Sequence, residues 1–98
     1  MSKFGELIDH KVPVLLNFYT EWSEECESIH PILKDVSAAV GDKAVIIKIN
    51  VDKNEDLAEA LRIKTLPTFL IYKHGEMIWR KSGVMNANDL VLQIKNQI

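Results

Sequence analysis

The chain has 98 residues, of which 47% are hydrophobic and 27% are charged, and its formal net charge is −2. This composition is typical of a globular protein and excludes disordered, collagenous and membrane-spanning chains, and this length predicts one domain over residues 1–98. The single cysteine excludes an internal disulfide framework, and with no N-terminal targeting pattern the sequence predicts a cytoplasmic protein.

The first predicted elements are a short amphipathic helix and a buried strand. Phe4, Leu7 and Ile8 have the spacing of one apolar helix face. The stretch VPVLLNFY, residues 12–19, is continuously apolar and has the length of a strand buried on both faces. Asn17 then lies inside a core strand, where we expect its amide to be satisfied by a backbone group or a water.

A longer amphipathic helix is predicted from Ser23 to about Val40, ending at Gly41. Its apolar residues recur at spacings of three and four: Cys26, Ile29, Leu33, Val36 and Val40. Ser23 is a suitable N-cap, because its hydroxyl can accept a hydrogen bond from the first turn. Pro31 has no N–H for the carbonyl of Glu27, so we expect a bend one to two turns after the start.

Acidic residues are concentrated at this helix start: Glu21, Glu24, Glu25 and Glu27. The rest of the chain carries a small positive charge. An acidic patch of this kind favours a basic partner and argues against nucleic acid, whose phosphates it would repel.

The middle of the chain is predicted to form a second strand and a short helix. AVIIKIN, residues 44–50, is the strand. Residues 54–62 are the helix, with Asn54 as its cap and with Leu57 and Leu61 facing inward.

The next segment is predicted to be a β-hairpin. The strands PTFLIYK, residues 67–73, and EMIWRKS, residues 76–82, are separated by His74 and Gly75, two residues that suit a tight turn. The second of these strands is expected at an edge, because its basic side chains discourage pairing with another chain.

The last predicted element is a helix from Asn86 to Ile98. Asn86 can cap it, Met85 and Leu90 are placed for a hydrophobic staple, and Leu90, Ile94 and Ile98 share one face. The full order of elements predicts an α/β fold with a mixed four-stranded sheet flanked by helices.

Several of these features together resemble the thioredoxin family, from about residue 4 to residue 98. The matching features are Trp22 before a helix start, W-S-E-E-C across that start, Pro31 five residues beyond Cys26, Lys48 in the second strand, TLPT opening the third strand, the HGE turn and Gly83. The resemblance implies the thioredoxin fold.

Two positions depart from the family pattern. In the family, the tryptophan is followed by Cys-x-x-Cys, whose first thiolate attacks a substrate disulfide and whose second cysteine resolves the mixed disulfide. Here Ser23 replaces the attacker and Cys26 stands at the resolving position. Because thiol exchange runs through a thiolate, the family's dithiol cycle cannot operate. Asn17 also replaces a buried aspartate that the family is taken to use for proton transfer.

Cys26 could still react alone. His30 lies four residues further on the same helix face, and a Cys–His pair can activate a nucleophile. Against this, Pro31 perturbs the geometry, and burial with the neighbouring carboxylates favours a neutral thiol. Two ligands at this spacing do not make a metal site, so we predict neither a metal nor a cofactor.

The resemblance also implies a binding groove. In the family a cis-proline faces the start of the active-site helix and presents a backbone edge to an extended peptide. Trp22, Leu66, Pro67, Gly83 and Val84 would form this groove here. The alternative is that Pro67 only fixes the entry to a strand.

A further departure concerns the sheet. Thioredoxins usually begin with a strand that covers the strand matching residues 44–50, and this sequence starts too late to supply it. We therefore expect an apolar edge strand, guarded by Lys43 and Lys48, that is open to a homodimer or to strand addition by a partner. The alternative is that a bulge or the N-terminal segment covers it.

Three functions follow from these observations. The first is a thioredoxin-like protein with a degenerate S-x-x-C site, formed by Ser23 and Cys26, that binds extended and basic polypeptides in the groove. The second is a thiol–disulfide oxidoreductase that exchanges through Cys26 with an external thiol. The third is a mutated form of an active thioredoxin in which Ser23 is not the natural residue.

Overall fold

The fold is built on one mixed sheet of four strands in the order β2-β1-β3-β4. A computed structural model of the protein describes residues 3–98. The helices are α1 Lys3–Ile8, α2 Glu24–Glu27, α3 Ile29–Val40, α4 Glu55–Ala60 and α5 Ala87–Lys95. The strands are β1 Val14–Tyr19, β2 Val45–Asn50, β3 Thr68–Lys73 and β4 Glu76–Ser82, and two 3₁₀ turns span Gly41–Lys43 and Val51–Lys53.

The strand directions confirm the predicted mixed sheet. β1 pairs parallel with β2, beginning at Val14 opposite Val45, and antiparallel with β3. β3 and β4 pair antiparallel through the turn at His74 and Gly75, both of which have positive φ as that turn requires.

The central strand β1 carries one core on each face. Its Leu15 packs with residues of α3 and α5, while Leu16 and Phe18 pack with residues of α1, of α4 and of the segment that follows α4. Successive side chains of a strand point to opposite faces, so a strand covered on both sides must be continuously apolar. Each such fully buried side chain stabilises the fold by about 1.5 to 3 kcal/mol.

The predicted bend of the long helix is confirmed. α2 ends at Glu27, Ser28 lies between the two segments, and α3 begins at Ile29. Pro31 lies in the first turn of α3 and cannot donate to the carbonyl of Glu27, which accounts for the interruption. All five residues of the predicted apolar stripe are buried: Cys26, Ile29, Leu33, Val36 and Val40.

Three expectations about apolar faces and caps were wrong. Leu7 in α1 is 39% exposed, and α5 ends at Lys95, which leaves Ile98 56% exposed. The periodic pattern continues to Ile98, but the helix does not. Asn54 lies at the N-cap of α4 without capping it, because its side chain instead donates to the backbone carbonyl of Asn50 at 2.8 Å.

The two outer strands differ in their surroundings. No strand of residues 3–98 pairs with the outer side of β2, as predicted for an edge strand. On β4, Arg80 reaches across to α4 and donates to the carbonyls of Leu61 and Arg62 at 2.6 and 2.7 Å. Arg80 therefore also holds the C-terminal end of α4, a role the sequence did not reveal.

The helices in residues 3–98 are all too short or too polar to cross a membrane.

Candidate functional site

The strand register brings four segments to one end of the sheet. Phe18 near the end of β1 lies opposite Thr68 at the start of β3, and Thr68 lies opposite Ser82 at the end of β4. Tyr19 lies opposite Asn50 at the end of β2. The residues that follow β1, β2 and β4, and those that precede β3, therefore meet at what we call the site end of the sheet.

Ser23 occupies the N-cap of α2, as predicted. Its backbone is extended, with φ −123° and ψ 127°, and its hydroxyl oxygen accepts a hydrogen bond from the backbone N–H of Cys26 at 3.3 Å. Its carbonyl accepts from the N–H of Glu27 at 3.1 Å. A serine at this position thus stabilises the helix start.

Cys26 is a free cysteine whose exposed fraction is 0%. It lies in the first turn of α2, with its side chain on the buried face of the helix. A reagent must therefore wait for an opening of the fold before it can reach the sulfur.

Trp22, in contrast, is 87% exposed, and a network that sequence reasoning missed supports it. Its backbone N–H donates to the hydroxyl oxygen of Thr20 at 3.4 Å, and that hydroxyl donates to the carboxylate of Asp52 at 2.7 Å. Asn50 donates to the carboxylate of Glu21 at 3.5 Å. These bonds tie the loop carrying Trp22 to the turn after β2.

The other predicted groove residues also lie at the site end. The Leu66–Pro67 peptide bond is cis. The N–H of Gly83 donates to the carbonyl of Pro67 at 2.8 Å, which joins the end of β4 to the start of β3. Gly83 has a φ of 101°, a conformation that favours glycine. Val84 follows it and is 50% exposed.

Leu66 presents an open stretch of backbone. Neither its N–H nor its carbonyl takes part in a hydrogen bond within the part of the chain that the structure describes, and its side chain is half-buried. An extended peptide could pair with these two groups as an added strand does.

The side chains at the helix start carry an acidic surface. Four carboxylates are exposed there: Glu21, Glu24, Glu25 and Glu27. No lysine or arginine between residues 3 and 98 forms an ion pair with any of them. Their charge is therefore available to a partner.

No protein group of the described residues satisfies the amide of Asn17. Asn17 is fully buried, and neither its amide nitrogen nor its amide oxygen has a hydrogen-bond partner in the described residues. Lys48 lies opposite it in the register of β1 and β2 and is exposed. The predicted satisfaction of Asn17 by a backbone group was wrong, because the neighbouring strands use their backbone groups in the sheet.

His30 does not form the considered pair with Cys26. No hydrogen bond joins the two residues among the contacts of residues 3–98. The ring of His30 instead packs edge-on against the ring of Tyr19, with centroids 5.2 Å apart. The described residues also contain no group of three or more His, Cys, Asp or Glu side chains arranged for a metal ion.

Comparisons with known proteins agree with this geometry. The model of the family described as Thioredoxin matches residues 1–96. A chloroplastic thioredoxin Y of Oryza sativa subsp. japonica is 39% identical over 98 residues, covering 99% of this chain and 58% of the rice protein, so the chain spans somewhat over half of that relative.

Two further relatives match over most of their own length. A thioredoxin of Rickettsia bellii is 31% identical over 93 residues, which cover 95% of this chain and 89% of that protein. The crystal structure of mitochondrial thioredoxin 3 from Saccharomyces cerevisiae, in its oxidized form, superimposes with a TM-score of 0.86 at 28% identity, covering 96% of this chain and 87% of that one.

Proposed function

The chain belongs to the thioredoxin family, and from that premise we propose that it binds an extended polypeptide at the site end of the sheet without running the dithiol cycle. One observation carries the proposal. The hydroxyl of Ser23 caps the helix where an attacking thiol would stand, and the sole cysteine, Cys26, has an exposed fraction of 0%.

The chemistry of disulfide reduction requires two sulfurs in succession. In the dithiol cycle, one thiolate forms a mixed disulfide with the substrate, and a second thiol of the same site then releases the product; in one-thiol exchange an external thiol releases it. Position 23 supplies an oxygen that is engaged with the N–H of Cys26, so no internal sulfur can complete the exchange. The predicted loss of the cycle thus follows from residue type and agrees with the burial of Cys26.

The groove does not depend on a thiol. Leu66 offers an open N–H and carbonyl for backbone pairing, while Trp22 and Val84 offer exposed apolar surface beside it. Exposed aromatic residues held by a rigid support are frequent centres of binding energy. The bonds from Thr20 to Asp52 and from Asn50 to Glu21 supply that support.

The charge of the site end favours a basic partner. The exposed glutamates around α2, which form no ion pair within residues 3–98, attract lysine and arginine side chains and raise the rate of encounter at low ionic strength. The expected absence of nucleic-acid partners and the cytoplasmic location stay predictions.

The proposal is tested by two assays. In the first, the fluorescence of Trp79→Phe, in which Trp22 is the only tryptophan of the sequence, follows the titration of an unstructured peptide that contains several lysines. A peptide carrying glutamates at the same positions is the matched control. We expect saturable binding of the basic peptide, weakened by salt. Equal responses to both peptides would contradict the charge preference, and no response to either would contradict the groove.

The second assay measures catalytic reduction of a protein disulfide in the presence of an external thiol. The proposal predicts no turnover above background for the protein or for Cys26→Ala. Turnover that Cys26→Ala abolishes would instead establish one-thiol exchange. Sequencing of codon 23 in the source gene, together with turnover by Ser23→Cys, decides whether the chain is a mutated form of an active thioredoxin.

A second proposal concerns the outer edge of β2. We propose that two copies of the chain pair through this edge in antiparallel orientation. A two-fold axis at Ile47 would place Lys48 of each copy opposite Ile46 of the other, so that like charges do not meet. Residues Val45, Ile46 and Ile47 are half-buried in the single chain and would be covered by the pairing.

Light scattering at micromolar concentration tests this pairing. We expect the mass of a dimer and slow amide exchange along residues 44–50. A clean monomer with rapid exchange there would overturn the proposal, and a monomer whose exchange slows only when a partner peptide is added would replace the dimer by strand addition.

A further inference from the structure

A second apolar surface lies beside the groove, between β4 and α5. It is a depression of about 460 Å³, and four apolar side chains line it: Trp79, Val84, Met85 and Leu92. We call it the β4–α5 pocket. Its volume lies within the range of about 300 to 1,000 Å³ that is typical of ligand pockets in proteins.

The floor of the β4–α5 pocket is fixed by the core. Met85 is only 8% exposed and belongs to a core cluster, and Trp79 packs against the same cluster. Trp79 lies opposite Ile71 in the register of β3 and β4, and Ile71 is fully buried in that cluster. The indole is therefore held by packing, so little conformational entropy is lost at Trp79 when a ligand contacts it.

The rim of the pocket is apolar and carries no net charge. Val84 is 50% exposed and Leu92 is 56% exposed. The charged residues among those that line the pocket are Lys81 on β4 and Asp89 on α5. One cation and one carboxylate cancel, so the pocket contrasts with the acidic start of α2.

The pocket is continuous with the groove of the proposed function. The N–H of Gly83 donates to the carbonyl of Pro67 at 2.8 Å, which holds Gly83 and Val84 beside the open backbone of Leu66. Val84 is both a groove residue and a lining residue of the pocket. A polypeptide that pairs with Leu66 and passes Val84 therefore meets the pocket.

The strand order gives such a polypeptide two unlike neighbours. β3 lies between β1, which leads to the acidic helix start, and β4, which leads to Val84. A segment that crosses the start of β3 at Leu66 has carboxylates on one side and the apolar pocket on the other. The carboxylates attract a basic side chain, while burial of apolar surface favours a large apolar side chain in the pocket.

We propose that the β4–α5 pocket receives one large apolar side chain, such as leucine, of the polypeptide bound in the groove. The partner is then a segment with basic residues on one side of its pairing position and an apolar residue on the other. This inference rests on the proposed function and specifies its partner, because it uses the same backbone edge at Leu66. Trp79 and Leu92 are then specificity-determining residues.

The test compares the binding of three unstructured peptides to the full chain by isothermal calorimetry. The first has a leucine on the N-terminal side of its lysines, and the second has it on the C-terminal side. The third is the control and has serine at both positions. We expect one of the two leucine peptides to bind at least about tenfold more tightly than the serine peptide, which corresponds to about 1.4 kcal/mol.

NMR of the tryptophan side chains locates the leucine. The chain has two tryptophans, and Trp79→Phe assigns their indole N–H signals. The tighter leucine peptide should move the signal of Trp79, whereas the serine peptide should move only that of Trp22. The order of residues in the tighter peptide then gives the direction in which the bound segment runs.

A pair of matched variants sharpens the test. Leu92→Gln should reduce the ratio of leucine-peptide to serine-peptide affinity from at least about tenfold to about threefold or less. Ile98→Gln is the control and should keep the full ratio, since Ile98 is also 56% exposed but does not line the pocket. Both side chains are exposed, so neither substitution should prevent folding.

The outcomes separate this inference from the proposed function. Equal affinity for all three peptides would overturn the pocket and leave the groove intact, whereas binding of none would overturn both. Equal gains for the two leucine peptides would also overturn the pocket, because it lies on one side of Leu66, as would a gain that Leu92→Gln retains. A Trp79 signal that moves with protein concentration alone would assign the pocket to a second copy of the chain instead.

Discussion

Trp22 and Cys26 lie four residues apart at the same helix start, yet Trp22 is 87% exposed and Cys26 is 0% exposed. Trp22 precedes the helix. Its backbone N–H donates to the hydroxyl of Thr20, which in turn donates to Asp52 in the turn after β2. Cys26 lies on the buried face of the first turn. The comparison shows that an exposed aromatic side chain and a buried thiol can occupy one short segment, because the helix start at Ser23 separates them.

The largest effect is expected at the exposed Trp22. Trp22→Ala should weaken binding of the lysine-containing peptide by about 2 to 4 kcal/mol, because an exposed and supported tryptophan is a typical centre of binding energy. The free energy of unfolding should change by no more than about 0.5 kcal/mol, since the side chain buries little surface. Isothermal calorimetry and urea unfolding measure the two quantities.

Val84→Ala serves as the control for this variant, because Val84 is also exposed but offers a smaller side chain. A loss of affinity equal to that of Trp22→Ala would show that the tryptophan is not central. Unchanged affinity in Trp22→Ala would remove it from the groove.

The next largest effect is expected in the core, at the buried Asn17. Asn17→Leu should raise the free energy of unfolding by about 1 to 3 kcal/mol, because it removes a buried amide whose nitrogen and oxygen have no partner in the described residues. Asn50→Leu is the matched control. It should destabilise the protein, since Asn50 accepts hydrogen bonds from the N–H groups of Asp52 and Lys53.

Chemical denaturation of the two variants checks this pair. A destabilised Asn17→Leu would mean that the amide of Asn17 is satisfied in solution. That result would contradict the predicted destabilisation by the buried amide.

A smaller effect on stability is expected at Ser23, which lies between Trp22 and Cys26. Ser23→Ala removes the oxygen that accepts from the N–H of Cys26 and should cost about 1 kcal/mol of stability. Ser37→Ala, at an exposed position of α3 where the hydroxyl has no hydrogen-bond partner among the described contacts, should cost less. Thermal unfolding distinguishes them, and equal effects would show that the hydroxyl of Ser23 does not act as a cap.

The smallest effect concerns pH. Burial raises the pKa of Tyr72, and the nearby Arg80 partly opposes this. The folded state therefore keeps the phenol proton at a pH where the unfolded chain releases it, so stability is lost as pH rises above about 10. Tyr72→Phe should show a shallower loss in that range.

Tyr19→Phe is the control for the pH series, because Tyr19 is only half-buried. Unfolding curves across alkaline pH provide the measurement. An identical pH dependence in Tyr72→Phe and the unmutated protein would contradict the role of burial.

Local patterns predicted much of the fold. The apolar run of β1, the buried stripe through α2 and α3, the cap at Ser23 and the bend before Pro31 are all set by neighbours in sequence. The spacing of apolar residues could not show which of them pack against the rest of the fold, which explains the wrong expectations at Leu7 and Ile98.

The site was less accessible to sequence reasoning. The positions of Trp22, Pro67 and Gly83 followed from family resemblance. The support of Trp22 was missed because it joins Thr20 to Asp52, residues that become neighbours only through the register of β1 and β2. The depth of Cys26 likewise depends on how α2 docks, which its periodicity does not specify.

The most direct test of the burial of the Cys26 thiol is the rate at which a small neutral reagent alkylates it in the native protein, relative to the rate in the denatured chain at the same pH. The account predicts a native rate lower by at least about 100-fold, because the sulfur reacts only from open states. A native rate within a few-fold of the denatured rate would place the thiol at the surface and contradict the account.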